Sequence, residues 1–205
     1  RLLYGEYANL ERSARAIMME KFWNVRLGPD LDLDLPLVHV DGDFYIYLFD
    51  MMGQRLWNQA AARSLVGRLK DASAEFDILL TAEAKAIGLT EEMAGILGHD
   101  EYVVLRKSLK VYMHNPAVVD VKSITTESLQ HFYLAEQRFP ALVGKRVCVV
   151  DDVVSTGGTL AAFFQLAEQI GFQIAYIACA LTEGERRDSF NGAPVFALDH
   201  IPLPR

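Results

Sequence analysis

Cysteine is scarce: Cys148 and Cys179 are the only two in 205 residues, and both lie in apolar runs. Two are too few for a disulfide framework and read as buried, reduced thiols of a cytosolic protein. A surplus of positive charge is missing as well. Lys plus Arg is 20 against 27 Asp plus Glu, a net charge of -7. That balance argues against nucleic-acid coating or binding to an anionic membrane surface. No apolar run reaches the roughly 18 residues of a membrane helix, and the first residues lack the apolar core of a signal peptide. The five histidines (His39, His99, His114, His131, His200) are scattered, with no H-E-x-x-H or C-x-x-C spacing for zinc. A G-x-S-x-G elbow, a Walker loop and a dinucleotide G-x-G-x-x-G are all lacking. Disorder is excluded too, because apolar residues make up 51% and charged residues 23%. A chain of this length can bury a core without disulfide or metal staples.

The periodicities that are present alternate between helix and strand. Leu10, Ala14, Ile17, Met18 and Phe22 recur at helical spacing, so residues 1–27 are expected to form a peripheral helix. Asp30, Asp32 and Asp34 stand at every second position. The run lacks the glycine and terminal glutamate of a calcium loop and reads as an acidic, extended linker. Two apolar runs around Asp41-Gly42 read as a hairpin over residues 37–48. A helix is expected over 54–71, a strand over 76–81, a helix from Thr90 as N-cap to Gly98, and a strand over 102–106. Residues 107–135 are polar and weakly periodic, an irregular stretch suited to a lid. A strand over 147–150, a helix from about Gly157 to Ile170 and a strand over 172–181 follow. This order predicts an α/β fold, a mostly parallel sheet with helices on both faces. The expected division is an N-terminal extension and linker (1–36), a core (37–185) and a C-terminal segment (186–205).

The most informative stretch is Val147-Cys148-Val149-Val150-Asp151-Asp152-Val153-Val154-Ser155-Thr156-Gly157-Gly158-Thr159-Leu160. A buried strand ends where open α/β sheets bind ligands. The glycines let the backbone turn tightly, and the following helix presents unpaired N–H groups. With Ser155, Thr156 and Thr159 these make a cradle for a phosphate monoester. Two carboxylates would repel phosphate, so Asp151 and Asp152 require a different partner. Vicinal sugar hydroxyls suit them, and a 5-phosphorylated ribose satisfies both halves.

This stretch resembles the phosphoribosyl-pyrophosphate (PRPP) motif of the type I phosphoribosyltransferases, in particular those acting on adenine and xanthine. The resemblance implies that Asp151 and Asp152 hold the ribose hydroxyls, that Ser155, Thr156, Gly157, Gly158 and Thr159 hold the 5-phosphate, and that Val153 and Val154 belong to the same PRPP site. Thr81-Ala82-Glu83-Ala84-Lys85-Ala86-Ile87-Gly88 resembles the pyrophosphate loop, which in that family often contains a non-proline cis peptide. It implies binding roles for Ala84, Lys85 and Ala86. Leu105-Arg106-Lys107-Ser108-Leu109-Lys110 resembles the family's basic stretch, which places Arg106, Lys107 and Lys110 near the pyrophosphate. Ser123-Ile124-Thr125-Thr126-Glu127-Ser128 resembles the stretch from which a glutamate, here Glu127, returns to the site. The resemblance covers roughly residues 37–185.

What it implies is transfer of the phosphoribosyl group from Mg-PRPP to a purine base with release of pyrophosphate, with Glu127, Lys107 and Lys85 as catalytic residues. Mg²⁺ is the implied cofactor, held by PRPP and water and not by a dedicated protein site. A small hood, a flexible lid loop, a homodimer and a cytoplasmic location complete the expectation, with neither nucleic acid nor membrane as partner. Two alternatives stay open: a non-catalytic PRPP- or nucleotide-sensing regulator, and a transferase for a pyrimidine precursor.

Overall fold

The computed structural model describes residues 21–122 and 129–204. In chain order the strands are β1 (Phe22–Gly28), β2 (Leu31–Asp41), β3 (Phe44–Tyr47), β4 (Ile78–Ala82), β5 (Val103–Leu105), β6 (Ala117–Lys122), β7 (Leu129–Leu134), β8 (Arg146–Val154), β9 (Gln173–Glu183), β10 (Ser189–Phe190) and β11 (Ala193–Ile201). The helices are α1 (Arg55–Asp71), α2 (Ile87–Leu97) and α3 (Gly158–Ile170), with a 3₁₀ turn at Glu136–Ala141.

The central sheet has the order β10-β11-β9-β8-β4-β5. All its strands run parallel except the short β10, which pairs antiparallel with β11. Successive residues face opposite layers. Leu79, Cys148, Val150, Ala178 and Ala180 pack under α1 and α2, and Ile78, Leu80, Val149, Ile177 and Cys179 pack under α3 and the β6–β7 ribbon. Both faces are therefore apolar, as a covered parallel sheet requires. Leu79 and Leu80 are fully buried, each contributing about 1.5–3 kcal/mol by leaving water. Cys148 and Cys179 are free, buried thiols on opposite faces, and burial pushes both well above the usual thiol range.

Several expectations are corrected. The acidic run is not a linker: it lies in β2, paired with β1 and β3 in a separate three-stranded antiparallel sheet. Arg26 grips Asp32 with two contacts of 2.6 and 3.0 Å, and Asn24 donates to Asp34 at 3.0 Å. Residues 22–28 are strand and not helix, because Val25 and Leu27 alternate with Asn24 and Arg26 and bury fully. The rest of the expected N-terminal helix lies outside the described residues. In the β2–β3 hairpin, Asp41 pairs with Phe44, so the two turn residues are Gly42 and Asp43.

α2 begins three residues before Thr90. The Thr90 hydroxyl donates back to the Ala86 carbonyl at 2.8 Å within the helix instead of capping it. The stretch read as irregular contains a ribbon, β6 paired with β7 from Ala117↔Leu134 to Lys122↔Leu129. The central sheet extends past residue 185. β11 is a strand of the central sheet, in register with β9 from Val195↔Ile177 to Ile201↔Glu183.

Candidate active site

β4 and β8 are neighbours in the sheet, but the chain leaves them in opposite directions, through α2 to β5 and through α3 to β9. A crevice opens at the carboxyl ends of two such strands. It holds a cavity of about 150 Å³ lined by Ala82 at the end of β4, residues 83–85 after it, Lys107, Phe132 of the ribbon, Asp151, Asp152 and Val153 of β8, and Thr159 of α3.

The β8 side carries the acids. Asp151 Oδ1 accepts the Asp152 N–H at 2.9 Å. Burial, and next the adjacent Asp152 charge, raise the Asp151 carboxyl well above the usual carboxylate range. Asp152 is offset by Lys85, whose Nζ lies 3.9 Å from Oδ2. Beyond the acids the chain turns at Ser155 and Thr156 into Gly157, which takes the left-handed region at φ 86° and is the N-cap of α3. No side chain caps this helix, and its first internal bond runs from the Ala161 N–H to the Gly157 carbonyl. The preceding N–H groups and the positive dipole end are free for an anion.

The opposite wall is the loop after β4, where the Glu83–Ala84 peptide is cis. Glu83 Oε1 is 2.8 Å from Arg106 Nε, and Oε2 accepts the Lys107 N–H at 2.8 Å. Lys85 and Lys107 both line the cavity. A second pocket of about 290 Å³ shares Lys85, Asp152 and Val153 with it and adds residues 46–49, Ser155, Glu183 and Ile201. Burial raises the Glu183 carboxyl.

The geometry thus brings together Ala84, Lys85, Lys107, Asp151, Asp152, Val153 and Thr159, with Ser155 at the adjoining pocket and Thr156, Gly157 and Gly158 completing the turn. It does not bring all the expected residues there. Arg106 is engaged by Glu83, and Lys110 bonds Ser108 at 2.6 Å; neither lines the cavity. Ala86 and Val154 are buried in the fold and present no side chain. Glu127 lies outside the described residues.

Three features escaped the sequence reading. Glu83 holds the basic stretch. Phe132, 1% exposed, is both core residue and cavity wall. The segment before β11 covers the cradle: the Phe190 ring lies against Gly157, and Arg187 Nε donates to the Ser155 carbonyl at 3.3 Å. Residues 46–49 had a signal, a dense aromatic and aliphatic run, but it was absorbed into the hairpin.

The family model for the phosphoribosyl transferase domain matches residues 54–199. Adenine phosphoribosyltransferase of Clostridium perfringens (strain SM101 / Type A) is 46% identical over 57 residues, 27% of this chain and 33% of that protein. The matched stretch therefore spans about a third of that relative. HGPRTase-like protein 1 of Halalkalicoccus jeotgali is 31% identical over 149 residues, 72% of this chain and 78% of that protein. Among solved structures, adenine phosphoribosyltransferase of Thermoanaerobacter pseudethanolicus superposes with a TM-score of 0.61 at 19% identity, covering 81% of this chain and 95% of the other. The Saccharomyces cerevisiae enzyme in complex with adenine gives 0.57 at 18% identity, covering 93% and 99%. At such identities the structural likeness speaks for the fold alone. The family match runs from the start of α1 nearly to the end of β11, so it takes in every lining residue of the cavity between β4 and β8 but not residues 46–49 or Ile201 of the adjoining pocket. On that match the chain belongs to the phosphoribosyl transferase domain family.

Proposed function

We propose that the protein transfers the 5-phosphoribosyl group of PRPP to a purine base, releasing pyrophosphate. The observation that carries this reading is the pairing of two chambers across Lys85, Asp152 and Val153. The polar chamber between the β4 loop and β8 suits ribose and pyrophosphate, and the second, walled by Ile46, Leu48, Phe49 and Ile201, suits a flat base.

The residues divide the work by charge. Asp151 and Asp152 accept the ribose hydroxyls and stand under the ring as it becomes positive. The free N–H groups at the start of α3 hold the 5-phosphate. Lys85 and Lys107 offset the charge that gathers on the departing pyrophosphate. Closing the crevice to water favours transfer to the base over hydrolysis.

Mg²⁺ suits the donor chemistry here, since Asp151 and Asp152 offer hard carboxylate oxygens at the cavity wall. An ion held here would take most of its ligands from substrate oxygens and water. When bound it supplies further neutralisation of the pyrophosphate. A homodimer in the cytoplasm belongs to the same reading.

The test is a panel of purine and pyrimidine bases incubated with PRPP and Mg²⁺, with pyrophosphate release as readout. Release with a purine is expected. Release only with a pyrimidine precursor would replace the acceptor, and PRPP binding without release for any base would replace transfer by sensing.

A further inference from the structure

We infer that Glu83 is a positioning residue that ties the pyrophosphate wall of the cavity to the β6–β7 ribbon through Arg106 and the main chain of Lys107. The inference rests on the proposed use of this cavity for pyrophosphate.

A carboxylate in a chamber for polyanions is out of place unless it is otherwise engaged. Glu83 is engaged on both oxygens. Oε2 accepts the Lys107 N–H at 2.8 Å, and Oε1 forms an ion pair with Arg106 at 2.8 Å from Nε, without the alignment of a hydrogen bond. Its own N–H donates to the Leu105 carbonyl at 2.9 Å. One residue thus grips three consecutive residues at the end of β5, from 24 positions away for Lys107. The Glu83 and Arg106 side chains are 20% and 38% exposed, so water competes only partly for the pair.

Arg106 carries the link onward. Its N–H donates to the Tyr133 carbonyl at 2.9 Å, and its carbonyl accepts the Tyr133 N–H at 2.8 Å. Tyr133 is in β7, one residue after Phe132 on the cavity wall. Glu83, the end of β5 and the ribbon are therefore joined by hydrogen bonds, with the Glu83–Arg106 ion pair beside them. Pairing with Glu83 also takes up the Arg106 charge, leaving Lys85 and Lys107 as the cations that face the chamber.

Two substitutions separate positioning from simple charge. Glu83→Gln removes a negative charge from an anion site, which on electrostatics alone should tighten anion binding. Glu83→Asp keeps the charge and loses only reach, which on electrostatics alone should change nothing. If Glu83 positions the wall, both should weaken it.

Calorimetry on the full chain with inorganic pyrophosphate and, separately, ribose 5-phosphate reads the difference. Both variants should lose at least about tenfold in pyrophosphate affinity, ~1.4 kcal/mol, and keep wild-type affinity for ribose 5-phosphate, whose cradle lies on β8 and α3. A general structural defect would lower both affinities. Unchanged or tighter pyrophosphate binding in either folded variant, or equal loss of both ligands, overturns the inference. If neither variant folds, hydrogen exchange of the wild-type chain decides: pyrophosphate should slow the Arg106 and Tyr133 amides, and no slowing overturns the link. A wild-type chain that binds ribose 5-phosphate and not pyrophosphate refutes the transferase reading itself, and this inference with it.

Discussion

Replacing Gly157 by alanine should destabilise the protein and disable its phosphate cradle together. Gly157 sits at φ 86°, and a Cβ built there would lie 2.3 Å from Phe190 Cε2. The left-handed conformation costs a non-glycine residue about 1–2 kcal/mol. The ring would have to retreat by more than about 1 Å to reach an ordinary carbon separation of ~3.5–4.0 Å. Phe190 is not free to do so, since it packs on the buried core and lies 5.8 Å from Phe164, centroid to centroid. Overpacking of this kind costs about 1–3 kcal/mol. The sum is roughly 3 kcal/mol, which for a domain of this size lowers Tm by roughly 6–12 °C. Calorimetric melting should show that fall, and titration with ribose 5-phosphate should show lost affinity. Gly157→Ala combined with Phe190→Ala removes the clash and keeps the backbone cost, so the double variant should be more stable than the two single losses added together. Strict additivity, or a Gly157→Ala protein with wild-type melting, would refute the close approach on which the reasoning depends.

Asp151→Asn should exchange function for stability. The native carboxyl titrates above its unfolded value, so its favourable contribution is complete below the ordinary carboxylate range and is lost as pH rises through the raised value. The variant should melt higher than wild type at about pH 7.5 and alike near about pH 3. Loss of a charge-assisted bond, about 1.5–3 kcal/mol, should cut PRPP turnover by roughly ten- to a hundredfold; wild-type turnover would remove the acid from the ribose site. Lys107→Ala takes away an exposed cation, so pyrophosphate should bind roughly three- to tenfold more weakly, with the difference shrinking at high salt. A salt-independent loss would contradict a charge role. Phe132→Ala opens the core beneath the cavity and should cost about 3–5 kcal/mol in denaturant unfolding; a loss below about 1 kcal/mol would mean that the ribbon does not seal this wall.

Legibility followed sequence distance. The cradle was readable because the strand, both acids and the turn all fall within residues 147–160, where local rules suffice. The same holds for α1, whose apolar spacing and length survive in the fold almost unchanged. Leu31, Leu33 and Leu35 alternate with Asp32 and Asp34, which is the period of a half-buried strand. The aspartate content drew attention from that period. β6 and β7 are rich in valine and aromatics, but each is short, and only pairing with the other makes a strand. β11 carries Val195, Phe196 and Leu198 after Gly192, and its place beside β9 is a tertiary fact. Glu83 could not be assigned from its neighbours, because what it holds lies more than twenty residues downstream.

The seating of β1 on β11 has consequences for how the molecule is made. The Arg26 N–H donates to Asp199 at 2.8 Å and Trp23 Nε1 to the His200 carbonyl at 2.9 Å, contacts that span 173 and 177 positions. Such closures are slow to find, since a long loop must be ordered before they form. The second pocket is built across the same join, with residues 46–49 on one wall and Ile201 on another. The cavity between β4 and β8 has no lining residue later than Thr159, while the turn beside it is covered from the C-terminal side by Arg187 and Phe190. During synthesis the lining of the first cavity is therefore made some forty residues before Ile201, the last residue of the second pocket. A chain stopped before β11 would keep the lining residues of the first cavity and lack Ile201 of the second.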